Sequence, residues 1–248
     1  MPPAIRLRKR AIPATIPTFA LLVNYPRIVY LKTAQAMIGR EKTKGQPMNT
    51  KISPRAARMR ERILAAALAE FAAKGYDGAT IRNIAAASGA KHPIIDYHFG
   101  NKEGLWDAVI EHCVGELAKR IESISKKADS RSVLKEIVRT FFEYDMENKA
   151  FHRFMIQASA RMSLKGRKAI KKHVAPIIEL QSKCIKDCQN SGQLPKGDPI
   201  LFSYMLIGVS AVLSSLTSEI EFVAKKKVDS SNTRQEYWKI IEGVFFDN

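Results

Sequence analysis

The sequence contains little cysteine and little acidic charge, and it lacks the motifs on which most enzyme classes depend. Only three of its 248 residues are cysteines. This number is odd and too small for a framework of disulfide bonds, which predicts a reducing, cytoplasmic environment. No paired carboxylates, nucleophile with a base, Walker-type loop or Rossmann glycine fingerprint is found. The sequence therefore argues against an enzyme, and it predicts neither a cofactor nor a metal site.

Basic residues are abundant and unevenly placed. They outnumber acidic residues by 41 to 24, which gives a formal net charge of +17 and favours a polyanionic partner, either nucleic acid or an anionic membrane surface. Residues 1–53 hold ten of the basic residues, one acidic residue and six of the eleven prolines, without a sustained apolar period. We therefore expect a disordered basic leader at 1–52. The favoured interpretation is an over-long start with the natural start at Met48, and the alternative is an arm that adds non-specific phosphate contacts.

From Ser53 onward the sequence has the helix start and stop signals of an all-α protein. Helix caps, helix-ending glycines and apolar periods of 3.6 residues recur, and no strand pattern competes with them. The first four predicted helices cover residues 53–75, 81–88, 91–99 and 101–125. The second and third are short and are joined by a turn that contains Gly89. Such a pair, supported by a preceding helix, predicts a helix-turn-helix whose second short helix can enter the major groove of DNA.

Several residues between Arg62 and Ala108 stand at offsets that are rarely found together. They are Phe71, Gly75, Thr80, Ile84-Ala85, Gly89, Tyr97-His98-Phe99, Lys102-Glu103 and Leu105. In this arrangement the stretch, about a fifth of the chain, resembles the DNA-binding domain of the TetR family of transcriptional regulators. The resemblance implies an all-α fold, with a DNA-binding domain at 53–101 and a helical effector-binding and dimerisation domain at 102–248. It also implies double-stranded operator DNA as a partner.

The resemblance implies a set of residues that contact DNA. Thr80 and Lys102 begin helices, whose free N–H groups and positive potential suit phosphate, although plain capping also explains Thr80. The other candidates reach bases or the adjoining backbone, and they are Arg82, Lys91, His92, Pro93, Ile94, Asp96, Tyr97 and His98. For His98, a phosphate contact competes with a hydrogen bond to a main-chain carbonyl.

Two of these residues depart from the family pattern. Lys91 stands where a helix-capping serine is usual, so it loses a cap and adds a charge beside the groove. Asp96 stands where a tyrosine is frequent. Because phosphates repel a carboxylate, Asp96 must either accept from a cytosine amino group or pair within the protein with Lys91 or His92.

The remainder of the chain predicts a second group of helices. They cover 131–147, 150–162, 167–190, 199–218 and 233–246. The first two are rich in aromatic residues and methionine, which either line an effector cavity or simply fill a core. The candidate pocket residues are Phe141, Phe142, Tyr144, Phe151, Phe154 and Met155. No cluster of cysteine and histidine has the spacing of metal ligands.

One helix carries no charge over nineteen residues, Ile200 to Ser218. Its length could cross a bilayer, but its serine, threonine and glycine content favours a helix–helix interface instead. By resemblance to the family, it and the last helix form the interface of a homodimer, as the reading of symmetric half-sites requires. The candidate interface residues are Ser203, Gly208, Ala211, Tyr237, Trp238, Ile241 and Phe245. No membrane partner is expected.

These observations predict a repressor that binds a palindromic operator as a homodimer and is released by a small-molecule effector of unknown identity. The alternative is a protein of the same fold whose large domain holds a protein partner, as in nucleoid-associated control. A contiguous internal cavity would favour the small molecule. A filled core with an exposed apolar patch would favour the protein partner.

Overall fold

The computed structural model describes residues 53–124 and 129–247. The predicted basic leader at 1–52, and with it the hypothesis of a start at Met48, lies outside the described residues. Within those two ranges the chain forms helices and turns and no strand, so the predicted all-α class is confirmed. The helices are α1 (Pro54–Gly78), α2 (Ile81–Ser88), α3 (His92–Phe99), α4 (Lys102–Glu122), α5 (Ser130–Glu147), α6 (Phe151–Ala160), α7 (Leu164–Ala169), α8 (Ala175–Asn190), α9 (Pro199–Ser215), α10 (Thr217–Ala224) and α11 (Ser231–Phe245). A π-helical turn at Ile170–Val174 joins α7 to α8.

Local capping explains where the N-terminal helices begin. Three predicted caps accept a hydrogen bond from the backbone N–H three residues later, and they are Ser53, Thr80 and Asn101. Each supplies an acceptor for an amide that has no partner inside its helix. The first helix is interrupted at Gly75, the residue at which the sequence predicts its end. Gly75 has φ +70° and kinks α1, which continues to Gly78.

The core of the helix-turn-helix is continuous with the rest of the molecule. Phe71, Ile84 and Ile95 are fully buried, and Phe99 is half-buried. The Phe71 ring meets the Trp106 ring of α4 edge to face, with 4.8 Å between the centroids. Residues 52–248 accordingly form one compact unit. Packing therefore continues across the predicted domain boundary at residue 101.

The long apolar helix ends earlier than its composition predicts. α9 ends at Ser215 and α10, which the sequence did not predict, leaves it at 66°. Hydroxyl groups at this break donate to backbone carbonyls of the preceding turn, from Ser214 to Ala211 and from Thr217 to Leu213. Such back-bonding competes with the helix and bends it. Across 53–124 and 129–247, no single helix is long and apolar enough to cross a membrane.

Candidate functional site: a DNA-binding face and an internal cavity

The exposed side of α3 presents the predicted recognition residues to solvent. Lys91, His92, Pro93 and Asp96 are all exposed, and the Tyr97 side chain is the most open of the large hydrophobic residues at 85%. Arg82 is exposed on α2, and Ile94 is half-buried against the core. An aromatic ring that the protein leaves uncovered on a recognition helix is free to pack against a nucleic-acid surface.

Asp96 pairs within the protein. Its Oδ2 atom lies 3.6 Å from Nε2 of His92, one helical turn earlier, and both side chains are more than half exposed. Of the two partners predicted for Asp96, the structure therefore provides His92. The pair brings the carboxylate next to a group that becomes cationic on protonation, which reduces repulsion by phosphate.

The start of α2 depends on a residue that the sequence did not single out. Oε1 of Glu70, on α1, accepts hydrogen bonds from Nδ2 of Asn83 at 2.8 Å and from the backbone N–H of Thr80 at 3.4 Å. The bond from Asn83 is the main reason why the pKa of Glu70 is lowered. The carboxylate thus occupies part of the positive end of α2. The Thr80 hydroxyl, which accepts from the backbone N–H of Asn83, still has its own proton for a phosphate.

Lys102 and His98 are both half-buried but differ in their contacts. The Lys102 ammonium donates to the Asp77 carbonyl at 3.3 Å and lies 4.8 Å from the centroid of the Tyr76 ring, so it is folded onto the end of α1. His98 is half-buried and touches the Tyr97 ring edge to face. It makes no hydrogen bond to any residue in 53–124 or 129–247, so the alternative of a carbonyl-bound histidine finds no support there.

Arg62 on α1 is a further candidate for phosphate contact. Its guanidinium packs against Gly89 in the turn between α2 and α3, where an added Cβ would lie 2.6 Å from Nη2. Gly89 has φ +66°, a left-handed conformation that favours glycine. The left-handed backbone of the turn therefore favours glycine, and a Cβ there would displace the end of the Arg62 side chain. The sequence pattern showed the glycine, but only the fold brings the arginine to it.

A cavity of about 340 Å³ lies among the C-terminal helices. Three of the six predicted pocket residues line it: Phe141, Phe151 and Met155. The complete lining is Val114, Leu117, Phe141, Phe151, His152, Met155, Ile156, Ser159, Met162, Ile170, Val174, Ile177, Ile178, Gln181, Tyr204 and Ile207. The volume is near the lower end of the range of about 300–1,000 Å³ that is typical of small-molecule sites.

The other three predicted pocket residues do not line this cavity. Phe142 stacks on Tyr237 of α11 at 5.9 Å between centroids. The hydroxyl of Tyr144 donates to a backbone carbonyl of α4, and Phe154 packs edge to face on Trp106 at 4.8 Å. Neighbouring residues on a helix point about 100° apart, so an aromatic cluster in sequence divides between faces.

Polar groups at the edge of the cavity are incompletely paired. Gln181 is 1% exposed, and its Oε1 atom has no hydrogen-bond partner in the described part of the chain. Behind His152 lies Asp145, which is fully buried, with its Oδ2 4.0 Å from the histidine Nδ1. Burial raises the pKa of the Asp145 carboxyl to about 7 and lowers the pKa of His152. Both groups are thereby biased toward their neutral forms.

Helix α6 contacts both this cavity and α1, the first helix of the predicted DNA-binding domain. Phe151, Met155 and Ser159 recur every four residues and line the cavity. On another side of the same helix, Phe154 packs against the Phe71 ring of α1, and Gln157 donates to a backbone carbonyl of α1 at 3.2 Å. This ten-residue helix therefore links the cavity to α1.

The predicted dimer surface requires a correction. Ser203, Ala211, Trp238 and Ile241 are buried within the single chain, at 0, 1, 8 and 3% exposure, and cannot meet a second copy. The exposed apolar residues of α9 and α11 are instead Ile200, Leu201, Tyr204, Met205, Val212, Ile240 and Val244. Because α9 is apolar on every side, its sequence does not reveal which face points outward.

Of the remaining predicted interface residues, two make contacts within the chain and one lies open to the outside. Tyr237 donates its hydroxyl to the Val209 carbonyl at 2.6 Å, and Phe245 packs against the Phe202 ring, so both bind α11 to α9 within the chain. Gly208 alone opens outward, with no atom within 4 Å of an added Cβ. It stays a candidate for contact with a second copy.

Known proteins resemble this chain most clearly in its N-terminal helices. The model of the family "Bacterial regulatory proteins, tetR family" matches residues 63–109. The HTH-type transcriptional repressor NicS from Pseudomonas putida is 28% identical over 115 residues, which cover 46% of this chain and 54% of that protein. The HTH-type transcriptional repressor AcnR from Corynebacterium efficiens is 34% identical over 84 residues, 34% of this chain and 40% of that protein.

The chain thus spans about half of the length of these curated relatives. A solved structure, the TetR family transcriptional regulator PfmR from Thermus thermophilus, has a TM-score of 0.57 at 20% identity and covers 73% of this chain and 94% of its own. That likeness concerns the fold. The relatives are named as regulators of transcription, in agreement with the prediction that the chain is not an enzyme.

Proposed function

Because the chain belongs to the TetR family of bacterial transcriptional regulators, we propose that it is a repressor that binds a two-fold symmetric operator as a homodimer and leaves it when a small molecule fills the cavity. The observation that carries this proposal is the position of α6, which lines the cavity on one side and packs against α1 on another.

In this proposal, some residues position the protein on the DNA phosphates and others recognise the bases. Arg62, Lys91, His98 and the Thr80 hydroxyl fix the protein on phosphates, with Lys102 joining them if it leaves the Asp77 carbonyl. Arg82 and Tyr97 lie exposed near the recognition helix, where Arg82 can donate two hydrogen bonds to a guanine edge and Tyr97 contacts bases or sugar. The list of residues that read bases is therefore short: Arg82, His92, Pro93, Asp96 and Tyr97.

Release follows from a shift between two states of α6. A ligand in the cavity contacts Met155 and Ser159, and any movement of α6 is passed to α1 through Phe154 and Gln157. The ligand lowers operator affinity only by the ratio of its affinities for the two states, typically about 5- to 150-fold.

A second copy of the chain is the proposed occupant of the exposed apolar face of α9 and α11. Exposed apolar residues lie on both helices, and a symmetric operator requires two recognition helices about one DNA turn apart. Replacing Gly208 with leucine adds bulk at the centre of α9 and should weaken the dimer. Sedimentation of wild type and variant at micromolar concentration tests this step, because a monomeric wild type would exclude the proposed dimer.

The alternative, a protein partner in place of a small molecule, is supported by one observation. Phe222 and Val223 on α10 are exposed at 75 and 71%. A partner that binds there should be lost with the double change Phe222→Ser and Val223→Ser, whereas small-molecule release should be unaffected.

Operator selection tests the proposal as a whole. The dimer is incubated with a randomised duplex library and with fragments from upstream of its own gene, and bound DNA is sequenced. We expect one two-fold symmetric motif, with loss of preference at a single base pair per half-site in Arg82→Ala. Binding without sequence preference, or with a steep salt dependence alone, would contradict the proposal.

A further inference from the structure

The positive charge of the C-terminal helices is concentrated in one segment. Residues 148–178 contain eight lysines and arginines and no aspartate or glutamate, whereas the rest of residues 106–248 contains fifteen basic and eighteen acidic residues. Of the eight, only Lys149 and Lys172 form ion pairs within the part of the chain that the structure describes. Positive charge that the protein does not neutralise favours a polyanionic partner.

Packing holds this segment against α4. The Ser163 hydroxyl accepts from the backbone N–H of Gly166 at 3.0 Å, which caps α7, and it donates to Oδ1 of Asp107 on α4 at 2.5 Å. Gly166 is buried, and an added Cβ would lie 3.2 Å from Cδ1 of Ile110, also on α4. Helix α7 therefore lies along the first half of α4, the helix that begins at Lys102.

Two arginines of the segment adjoin Lys102. The Arg161 guanidinium lies 3.8 Å from the centroid of the Tyr76 ring, and the Lys102 ammonium lies 4.8 Å from the same centroid. Arg167 lines a surface hollow with Arg161 and Tyr76, and Glu103 is the only carboxylate among the residues that line it. Both arginines are exposed. The end of α6 and the start of α4 therefore place their cations around one aromatic ring.

Lys165 extends this positive surface toward α3. Its exposed side chain lines one hollow with Asn101, the cap of α4, and a second hollow with His98 of α3. Asp107 and Glu111, which also line the second hollow, accept hydrogen bonds from residues other than Lys165. The Lys165 ammonium is thus available to a phosphate near the start of α4.

We propose that Arg161, Lys165 and Arg167, which we term the basic ridge, form a second phosphate-binding surface on the DNA duplex that α2 and α3 recognise. The inference rests on the proposed operator binding and goes beyond it, because every DNA-binding residue considered above precedes residue 103. The ridge binds the phosphate backbone and not base edges, so it adds affinity without sequence preference.

The salt dependence of DNA binding tests this proposal. The dissociation constants of the full-length protein are measured by fluorescence anisotropy at several salt concentrations, for the selected operator and for a random duplex of equal length. The ridge variant combines Arg161→Gln, Lys165→Gln and Arg167→Gln. Its slope of log affinity against log salt should be shallower by about 0.9 for each lost contact in each subunit, or by up to about 5 in a dimer, on both duplexes. Its preferred operator sequence should not change.

Two matched variants separate phosphate contact from overall charge. One removes three charges from exposed lysines on and after α8 and should leave the slope nearly unchanged: Lys183→Gln, Lys186→Gln and Lys196→Gln. The other keeps the charge of the ridge and should keep the wild-type slope: Arg161→Lys, Lys165→Arg and Arg167→Lys. If the triple ridge variant is unstable, Lys165→Gln alone should still make the slope shallower by about 2 in a dimer.

Phosphate ethylation interference locates the contacts. The wild-type protein should show interfering phosphates that the ridge variant lacks. Identical interference patterns, a slope that the ridge variant retains, or an equal reduction in the ridge and α8 variants would each overturn the inference. Loss of binding to phosphatidylglycerol vesicles in the ridge variant, with its DNA slope unchanged, would assign the surface to a membrane and would also overturn it.

The two duplexes separate this inference from the proposed function. A protein that selects a two-fold symmetric operator, and whose slope does not depend on the ridge, refutes the ridge and leaves the regulator intact. A protein that selects no operator, but whose slope on random DNA is shallower in the ridge variant, refutes the proposed repressor and leaves the ridge as a DNA-binding surface.

Discussion

The DNA-binding face and the cavity treat their polar groups in opposite ways. On the first, the Tyr97 and Asp96 side chains are exposed, so their polar groups can be hydrated and carry no desolvation cost. Beside the second, Gln181 and Asp145 are buried, and side-chain oxygens of both have no hydrogen-bond partner among the described residues. One region therefore keeps its polar groups hydrated, whereas the other withdraws them from water at a cost in free energy.

The two regions meet at Phe154, where the largest effect is expected. Its ring is fully buried between α1 and α4, with centroids 6.3 Å from Phe71 and 4.8 Å from Trp106. Phe154→Ala should lower the free energy of unfolding by about 3–5 kcal/mol, as a transfer loss plus a cavity. Chemical denaturation measures it. Phe222→Ala, at an exposed site, should change it by less than about 0.5 kcal/mol. A similar decrease in the free energy of unfolding in both variants would contradict a core shared by α1, α4 and α6.

The buried carboxyl of Asp145 should make stability depend on pH. Its pKa is raised to about 7, so between about pH 4 and 7 the unfolded chain has already lost the proton that the folded chain keeps. The free energy of unfolding should therefore fall as pH rises through this window, by up to about 4 kcal/mol.

Asp145→Asn is the matched variant, since an amide cannot ionise. Its unfolding free energy should vary less between pH 5 and 8 than that of the wild type. A wild type that becomes more stable over this range, or a variant with the same slope, would contradict the cost assigned to the buried carboxyl.

A side chain in the turn between α2 and α3 should lower stability and displace Arg62. Gly89→Ala places a Cβ at φ +66° and 2.6 Å from the Arg62 guanidinium. We expect a loss of about 1–2 kcal/mol in stability for the left-handed conformation, and weaker operator binding as Arg62 shifts. Gly192→Ala is the control, because its φ is +76° but nothing lies within 4 Å of the new atom. Equal effects on operator affinity would remove Arg62 from the DNA-binding face.

The smallest effect on stability is expected at Asp96. An exposed pair such as His92–Asp96 contributes about 0–1 kcal/mol, so Asp96→Asn should leave unfolding nearly unchanged. If the carboxylate serves only this pair, the variant should bind DNA more tightly and discriminate less. Selection from a randomised operator library distinguishes the alternative, because a base-reading Asp96 would change the preferred base at one position.

Local interactions account for what the sequence predicts correctly. The caps at Ser53, Thr80 and Asn101 involve residues three apart, so their pattern is visible in the sequence. The pairs Glu70–Asn83 and Asp145–His152 depend on how helices or turns are placed against one another, and no periodicity shows them.

Helix α9 shows the second limit of prediction from sequence. Its small residues Ser203 and Ala211 suggest a surface for close approach of another chain, but they are used for packing inside this one. Where a helix is apolar on all sides, hydrophobic periodicity no longer distinguishes inside from outside. The outward face is then known only from the fold.

The coupling of cavity and DNA through α6 is the central claim, and filling the cavity without a ligand tests it most directly. Ile177→Trp adds bulk from α8, on which Ile177 lines the cavity. Val223→Trp, at an exposed site on α10, is the control. The measurement is the dissociation constant for the selected operator by fluorescence anisotropy, on variants shown to remain folded and dimeric. The account predicts an operator affinity about 5- to 150-fold weaker for Ile177→Trp and unchanged for the control. Equal affinity in all three proteins would contradict it.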